Sequence, residues 1–200
     1  MTKEQKLREL KEKMEKDESL PLKKRATRLV FGVGDPNTKI LFIGEGPGYW
    51  EDQKGEPFVG NAGSLLNQLL SSIKLDRQAV YITNVVHHRP PGNRDPEPAE
   101  IAAYGKYLDE IITTINPKVI VTLGRFSMGK FLPGARISSV HGKVNKIKWK
   151  GQDIVMVPMY HPAAALRNGE VMRAAKEDFL ILPKVLEEAS QPIIEQGNLI

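Results

Sequence analysis

Three side chains of complementary chemistry each sit at the end of a short apolar run: Glu45 follows residues 39–44, Asn84 lies within 79–86, and His161 follows 153–160. A carboxylate can orient water or face a cation. An amide offers a donor and an acceptor side by side, and a neutral imidazole can still donate. Brought together, the three suit recognition of a planar heterocycle combined with stabilisation of a departing anion. Each has a plainer reading in isolation. An asparagine at a strand end serves turns, a lone histidine is commonly a satisfied structural group, and Phe58, in Pro57-Phe58-Val59-Gly60, reads as core by burial tendency. The sharper reading requires that the fold carry all of them to one edge.

The apolar runs at 39–44, 79–86 and 118–124 have strand length, and helical spacing covers 62–73 and 97–115, with Pro98 near a first turn. That order is β-α-β-α-β. Residues 144–150 and 153–160, separated by Gly151-Gln152, either pair antiparallel or place the second as a fourth parallel strand, and a last helix is expected over 170–189. Strands alternating with helices predict an α/β fold, a three-layer α/β/α sandwich around a mainly parallel four-stranded sheet. Leu7, Leu10 and Met14 fall at helical spacing before Leu20-Pro21, so residues 1–27 read as a charged helical arm packed on one domain spanning 1–200. Open parallel sheets bind ligands beyond the carboxyl ends of their strands. Glu45, Asn84, Arg125 and His161 all belong there. The Pro-rich segment 88–98 is a long loop whose length points to function.

Composition narrows the chemistry further. The chain has 200 residues, 40% hydrophobic and 26% charged, as in ordinary globular domains, and it has no cysteine. Disulfides, thiolate zinc sites and cysteine-ligated iron–sulfur clusters are thereby excluded. The first segment is too charged for a signal peptide and no apolar run has membrane length, so a cytoplasmic location away from membranes is expected. The net charge is +5, and residues 1–30 carry ten Lys/Arg against six Asp/Glu. This balance is compatible with a polyanionic partner, and a solvated helix face accounts for it equally well. No GxGxxG follows the first strand, which counts against a dinucleotide-binding oxidoreductase.

Three segments, GEGPGYWEDQKGEPFVGNAGSLL, YITNVVHHRPPGNRDPEP and YHPAAALRN, resemble the signature regions of uracil-DNA glycosylases, in the family's order and spacing from about residue 28 to 167. The nearest branch is family 4, the iron–sulfur type. The resemblance implies a monofunctional, monomeric base-excision repair enzyme that hydrolyses the N-glycosidic bond of uracil in single- or double-stranded DNA, leaving an abasic site. It implies that Phe58 stacks on uracil, Asn84 reads its edge, and His161 faces O2 as the bond breaks. Gly46 and Glu51 would contribute to the uracil pocket, with Glu45 and Asn93 catalytic through positioning water. Glu51 and Asp52 match the family's acidic pair, and Asp52 reads more plainly as stabilising a loop or capping a helix. Arg89, Arg94, Arg125 and Arg167 are the implied DNA contacts, with Leu166 or Arg167 filling the space left by a flipped base. Tyr49-Trp50 stands where acidic residues are common in family 4, and such a pair could stack on a neighbouring base or pack against the protein.

One departure is plain. The four cluster cysteines are replaced at about Asp17, Leu20, His88 and Tyr104. No cofactor and no metal are therefore expected, with packing at Leu20 and Tyr104 and a hydrogen bond at His88 in place of the cluster; zinc at His87 and His88 is a poor second. The alternatives to uracil excision are a superfamily glycosylase for hypoxanthine or xanthine and a non-catalytic DNA-binding module. The joint presence of Glu45, Phe58, Asn84, Asn93 and His161 argues against the module.

Overall fold

The computed structural model describes residues 1–191. The first half of the chain runs through α1 (Lys3–Lys16), β1 (Val33–Gly34), β2 (Ile40–Gly44), α2 (Tyr49–Lys54), α3 (Asn61–Ser72), β3 (Tyr81–Asn84) and α4 (Pro98–Ile115). The second half comprises β4 (Val119–Leu123), α5 (Arg125–Gly129), α6 (Ile137–Val140), β5 (Asn145–Trp149), β6 (Gln152–Met159), α7 (Pro162–Ala165), α8 (Gly169–Phe179) and α9 (Leu182–Ser190).

Every residue of β2 and β4 is buried. Successive side chains of a strand point to opposite faces, so an unbroken apolar run must feed two cores. Leu41 and Ile43 accordingly join Leu108, Ile111, Ile120 and Met156 on one face. Ile40 and Phe42 join Leu66, Leu70, Val121 and Phe179 on the other. The first core is covered by α1 and α4, the second by α3, α8 and α9. This is the expected three-layer α/β/α arrangement.

The sheet has six strands in the order β1-β3-β2-β4-β6-β5, rather than the expected four. Its centre, β3-β2-β4-β6, is parallel throughout, and antiparallel edges are added by β1 and β5. The two-residue β1 is too short to leave a pattern. The two possibilities left open for the last strands hold together, because β6 pairs with β4 on one side and with β5 on the other. Their hairpin turns at Lys150 (φ 46°) and Gly151 (φ 80°), the positive-φ pair of a two-residue turn. The expected helix over 170–189 is two helices, α8 and α9. Pro183 stands in the first turn of α9 and cannot donate to a preceding turn.

At the amino end, Thr2 and Gln5 form a capping box: Thr2 Oγ1 accepts from Gln5 N at 3.2 Å and Gln5 Oε1 from Thr2 N at 2.8 Å. Leu7, Leu10 and Met14 then pack into the core that holds Tyr104, Tyr107 and Ile111 of α4. Lys3 Nζ donates to the Ile115 carbonyl at 2.7 Å, closing the far end of α4 with a cation. Among the described residues no helix is long and apolar enough to cross a membrane.

Candidate active site

The four parallel strands end at Gly44, Asn84, Leu123 and Met159, and a cavity of about 510 Å³ opens beyond those ends. Its wall includes Glu45, Gly46, Glu51, Phe58, Asn84, Asn93, Arg94, Arg125, His161 and Arg167. All ten are site residues expected from the sequence; the expected Arg89 and Leu166 are not in the wall. Pro90, Ile137 and the strand-end residues Gly124 and Tyr160, to which the sequence assigns no role, also line the space. Tyr160 was legible as the strand-end residue before His161, whereas Ile137 lies in a one-turn helix with no periodicity to read.

Phe58 holds a left-handed backbone, φ 53°, which costs a non-glycine residue about 1–2 kcal/mol. Its ring is buried and lies 5.5 Å from that of His161 at an interplanar angle of 30°. Two glycines permit this placement. A Cβ on Gly63 would lie 1.9 Å from the Phe58 carbonyl oxygen, so α3 can approach the loop only because residue 63 has no side chain. A Cβ on Gly44 would lie 2.4 Å from Asn84 Oδ1 and 2.6 Å from the Phe58 ring. Asn84 Oδ1 is itself buried with no hydrogen-bond partner among the described residues. Such an orphaned acceptor costs about 1–3 kcal/mol and marks a place where a ligand donor fits.

His161 caps α7, and its Nδ1 accepts the Ala163 N–H at 3.1 Å. That bond fixes the neutral tautomer with the proton on Nε2. Burial lowers the imidazole pKa to about 4, so the ring is uncharged at neutral pH and still a donor. Glu45 is half-buried, and desolvation raises its carboxyl pKa, reinforced by Asp95 and opposed by Arg125.

The other acidic residues are structural clamps. Glu51 Oε1 accepts from the amides of Val59 and Gly60, both at 2.8 Å, and Oε2 from Gly48 at 3.1 Å. Its carboxylate ties the two glycine-rich loops together, so it bears on a bound base through the loop that carries Phe58. Asp52 Oδ1 accepts from Thr27 and Arg28 amides at 2.8 and 3.2 Å, the loop-bracing place expected for it. Arg94 makes a bidentate pair with buried Glu100 at 2.6 and 2.9 Å while its side chain remains partly exposed in the cavity wall. Arg125 pairs with Asp95 and lies over the Phe126 ring. Asn93 Oδ1 accepts from Arg89 Nε at 2.7 Å. Leu166 and Arg167 are exposed beside the cavity mouth.

The residues at the four cluster positions do not fit an iron–sulfur centre. Leu20 and Tyr104 are buried in the core shared by α1 and α4, and the Tyr104 hydroxyl lies 2.8 Å from His88 Nδ1. Asp17 accepts from Tyr107, Lys106 and Ser19. His87 and His88 have different partners: His88 Nδ1 lies against the Tyr104 hydroxyl, whereas His87 Nε2 lies 3.1 Å from Thr83 Oγ1, which donates to the Phe31 carbonyl at 2.7 Å. Burial depresses both imidazoles, to about 3 and about 4, keeping them neutral.

Comparison with known proteins agrees with this geometry. Residues 31–181 match the family model described as the uracil DNA glycosylase superfamily. The chain is 47% identical over 174 residues to the type-4 uracil-DNA glycosylase of Sulfurisphaera tokodaii, covering 83% of this chain and 77% of that one. It is 45% identical over 163 residues to that of Archaeoglobus fulgidus, covering 79% and 82%. With the Thermotoga maritima protein of the same description the identity is 43% over 198 residues, covering 98% of this chain and 99% of the relative. With two-thirds and more of the chain matched and the signature residues gathered in one cavity, the protein belongs to the uracil DNA glycosylase superfamily.

Proposed function

We propose that the protein hydrolyses the N-glycosidic bond of uracil in DNA, with water as second substrate, leaving an abasic site. The observation that carries this reading is Asn84, a buried amide with an orphaned acceptor, lining the same cavity as Phe58 and His161 at the strand ends. A flipped base is read in a pocket by stacking and edge hydrogen bonds. The Asn84 amide matches uracil, accepting from N3–H and donating to O4; cytosine presents the opposite polarity. Phe58 supplies the stacking face, and His161 Nε2–H meets the negative charge that develops on O2. Glu45 faces the sugar cation or, with Asn93, orients the water that captures it. Arg89, Arg125, Arg167 and Leu166 are the DNA contacts of this reading.

In this reading the enzyme acts as a cytoplasmic monomer on single- or double-stranded DNA and needs no metal or cofactor. A panel of oligonucleotides carrying uracil, hypoxanthine, xanthine or thymine tests it, by release of the free base with and without chelator. Uracil alone is expected to be released, at the same rate in chelator, by a protein free of iron. Release of another base with uracil untouched, or stoichiometric iron and loss of activity on chelation, would overturn it.

The two titrating groups separate in a pH profile. Glu45 acts as the carboxylate, and its pKa is raised, so activity falls as pH drops through that raised value. His161 stays neutral down to about pH 4 and contributes no loss above it. Single-turnover rates are expected to lose their acid limb in Glu45→Gln. An unchanged limb in that variant would remove Glu45 from the reaction.

A further inference from the structure

We propose that Tyr49 and Trp50 form a stacking platform for the nucleobase next to the excised uracil on the same strand, so that unpaired DNA is gripped through a second base. The proposal rests on the glycosylase reading. Tyr49 and Trp50 are 49% and 57% exposed, and their rings meet edge to face with centroids 5.1 Å apart. They occupy the first turn of α2 between Gly48 and Glu51, both of which line the cavity. The platform is thus continuous with the pocket mouth. Its backbone is held by the Glu51 carboxylate that also holds the Phe58 loop. One edge of Trp50 leans on Gly60, where a Cβ would lie 3.5 Å from the indole Cδ1.

Charge completes the match. The Arg89 guanidinium lies 5.2 Å from the centre of the Tyr49 ring. Aromatic faces bordered by a cation fit a nucleotide, because every base has a π-face and is joined to its neighbour by a phosphate. Among the described residues the remaining large exposed apolar side chains are Met1, Val144, Leu166 and Leu180, none of them in α2. They do not extend the Tyr49–Trp50 pair into the broad apolar face that a protein partner would need. In duplex DNA the neighbouring base is already stacked and paired, so the platform favours single strands.

The protein has two tryptophans, and Trp149→Phe leaves Trp50 as the sole reporter. Its emission is followed while single-stranded oligonucleotides with a non-cleavable 2′-fluoro-deoxyuridine are added, the flanking nucleotides carrying either ordinary bases or none. The expected result is quenching with ordinary flanks and binding about tenfold tighter than with abasic flanks, the size of one base–aromatic stack. Trp50→Ala, followed by fluorescence anisotropy of labelled DNA, is expected to bring the two substrates within about twofold, and Trp50→Phe to retain most of the difference. Equal affinity for both flanks in the unaltered protein, or full discrimination kept by Trp50→Ala, would overturn the platform. So would emission that responds to protein concentration and not to DNA, which would assign the pair to a second copy of the chain. The glycosylase reading fails separately, if the unaltered protein releases no uracil from a cleavable strand.

Discussion

His161→Ala is expected to excise uracil about a hundredfold or more slowly than the unaltered protein in single-turnover reactions, with DNA affinity little changed. A single donor aimed at a developing oxyanion contributes about 3–4 kcal/mol to the transition state. The hydrogen bond from Ala163 N–H to Nδ1 commits the ring to the Nε2–H form, and burial holds it neutral. The donor is therefore in place before the base arrives and needs no proton from solution. In the proposed reading the interaction strengthens only as charge builds on O2, so the loss should fall on the chemical step rather than on binding. Excision at the unaltered rate would show that the leaving group is stabilised by another group.

Gly63→Ala is the second large effect, and it reaches the site from outside. The new Cβ would meet the Phe58 carbonyl carbon at 2.1 Å and its oxygen at 1.9 Å, both backbone atoms that cannot rotate away. Either α3 or the Phe58 loop must move. Overpacking of this kind costs about 1–3 kcal/mol, which at about 2–4 °C per kcal/mol lowers the melting temperature by about 2–12 °C. A displacement of about 1 Å at the stacking ring costs about a hundredfold in rate. Gly105→Ala provides the contrast. Residue 105 lies inside α4 with nothing within 4 Å of a new Cβ, so the change should raise stability by about 1 kcal/mol with no loss of activity. Calorimetry and single-turnover rates on the pair check both statements. A Gly63→Ala protein as stable and as active as the unaltered one would refute the close-approach argument.

The parallel centre of the sheet was legible because apolar runs such as 40–44 and 119–123 are buried on both faces and carry no competing periodicity. The edges were legible in part. A two-residue strand such as β1 has no pattern, whereas the antiparallel pairing of 144–150 with 153–160 was one of two readings, and the turn at Gly151-Gln152 marked it although β5 alternates half-buried and exposed residues as a surface loop can. The site was legible in its residue types and in its position at the strand ends, since both follow from chain order. Partner choice was not. Glu51 and Arg94 read as candidate ligand contacts and both line the cavity, but nothing in the sequence announces that the fold also engages them with backbone amides and with Glu100. The fate of a long polar side chain depends on which loops approach it, and loop approach is set by tertiary contacts such as that of Gly63 with Phe58. The division of α8 from α9 is a case where the proline was visible and the apolar spacing across it misled.

The seam between the amino-terminal arm and α4 is built from Leu20, Tyr104, His88 and Asp17, in aliphatic packing and oxygen and nitrogen hydrogen bonds. None of these groups changes oxidation state under mild oxidants. The chain has no thiol to form sulfenic acid or a mixed disulfide, and Met14, Met128, Met156 and Met159 are shielded in the core. Peroxide therefore finds no handle at this seam; the scaffold thioether within its reach is Met172 of α8, half-buried against the second core, so oxidative damage should loosen the α8 face before it touches the joint between the arm and α4.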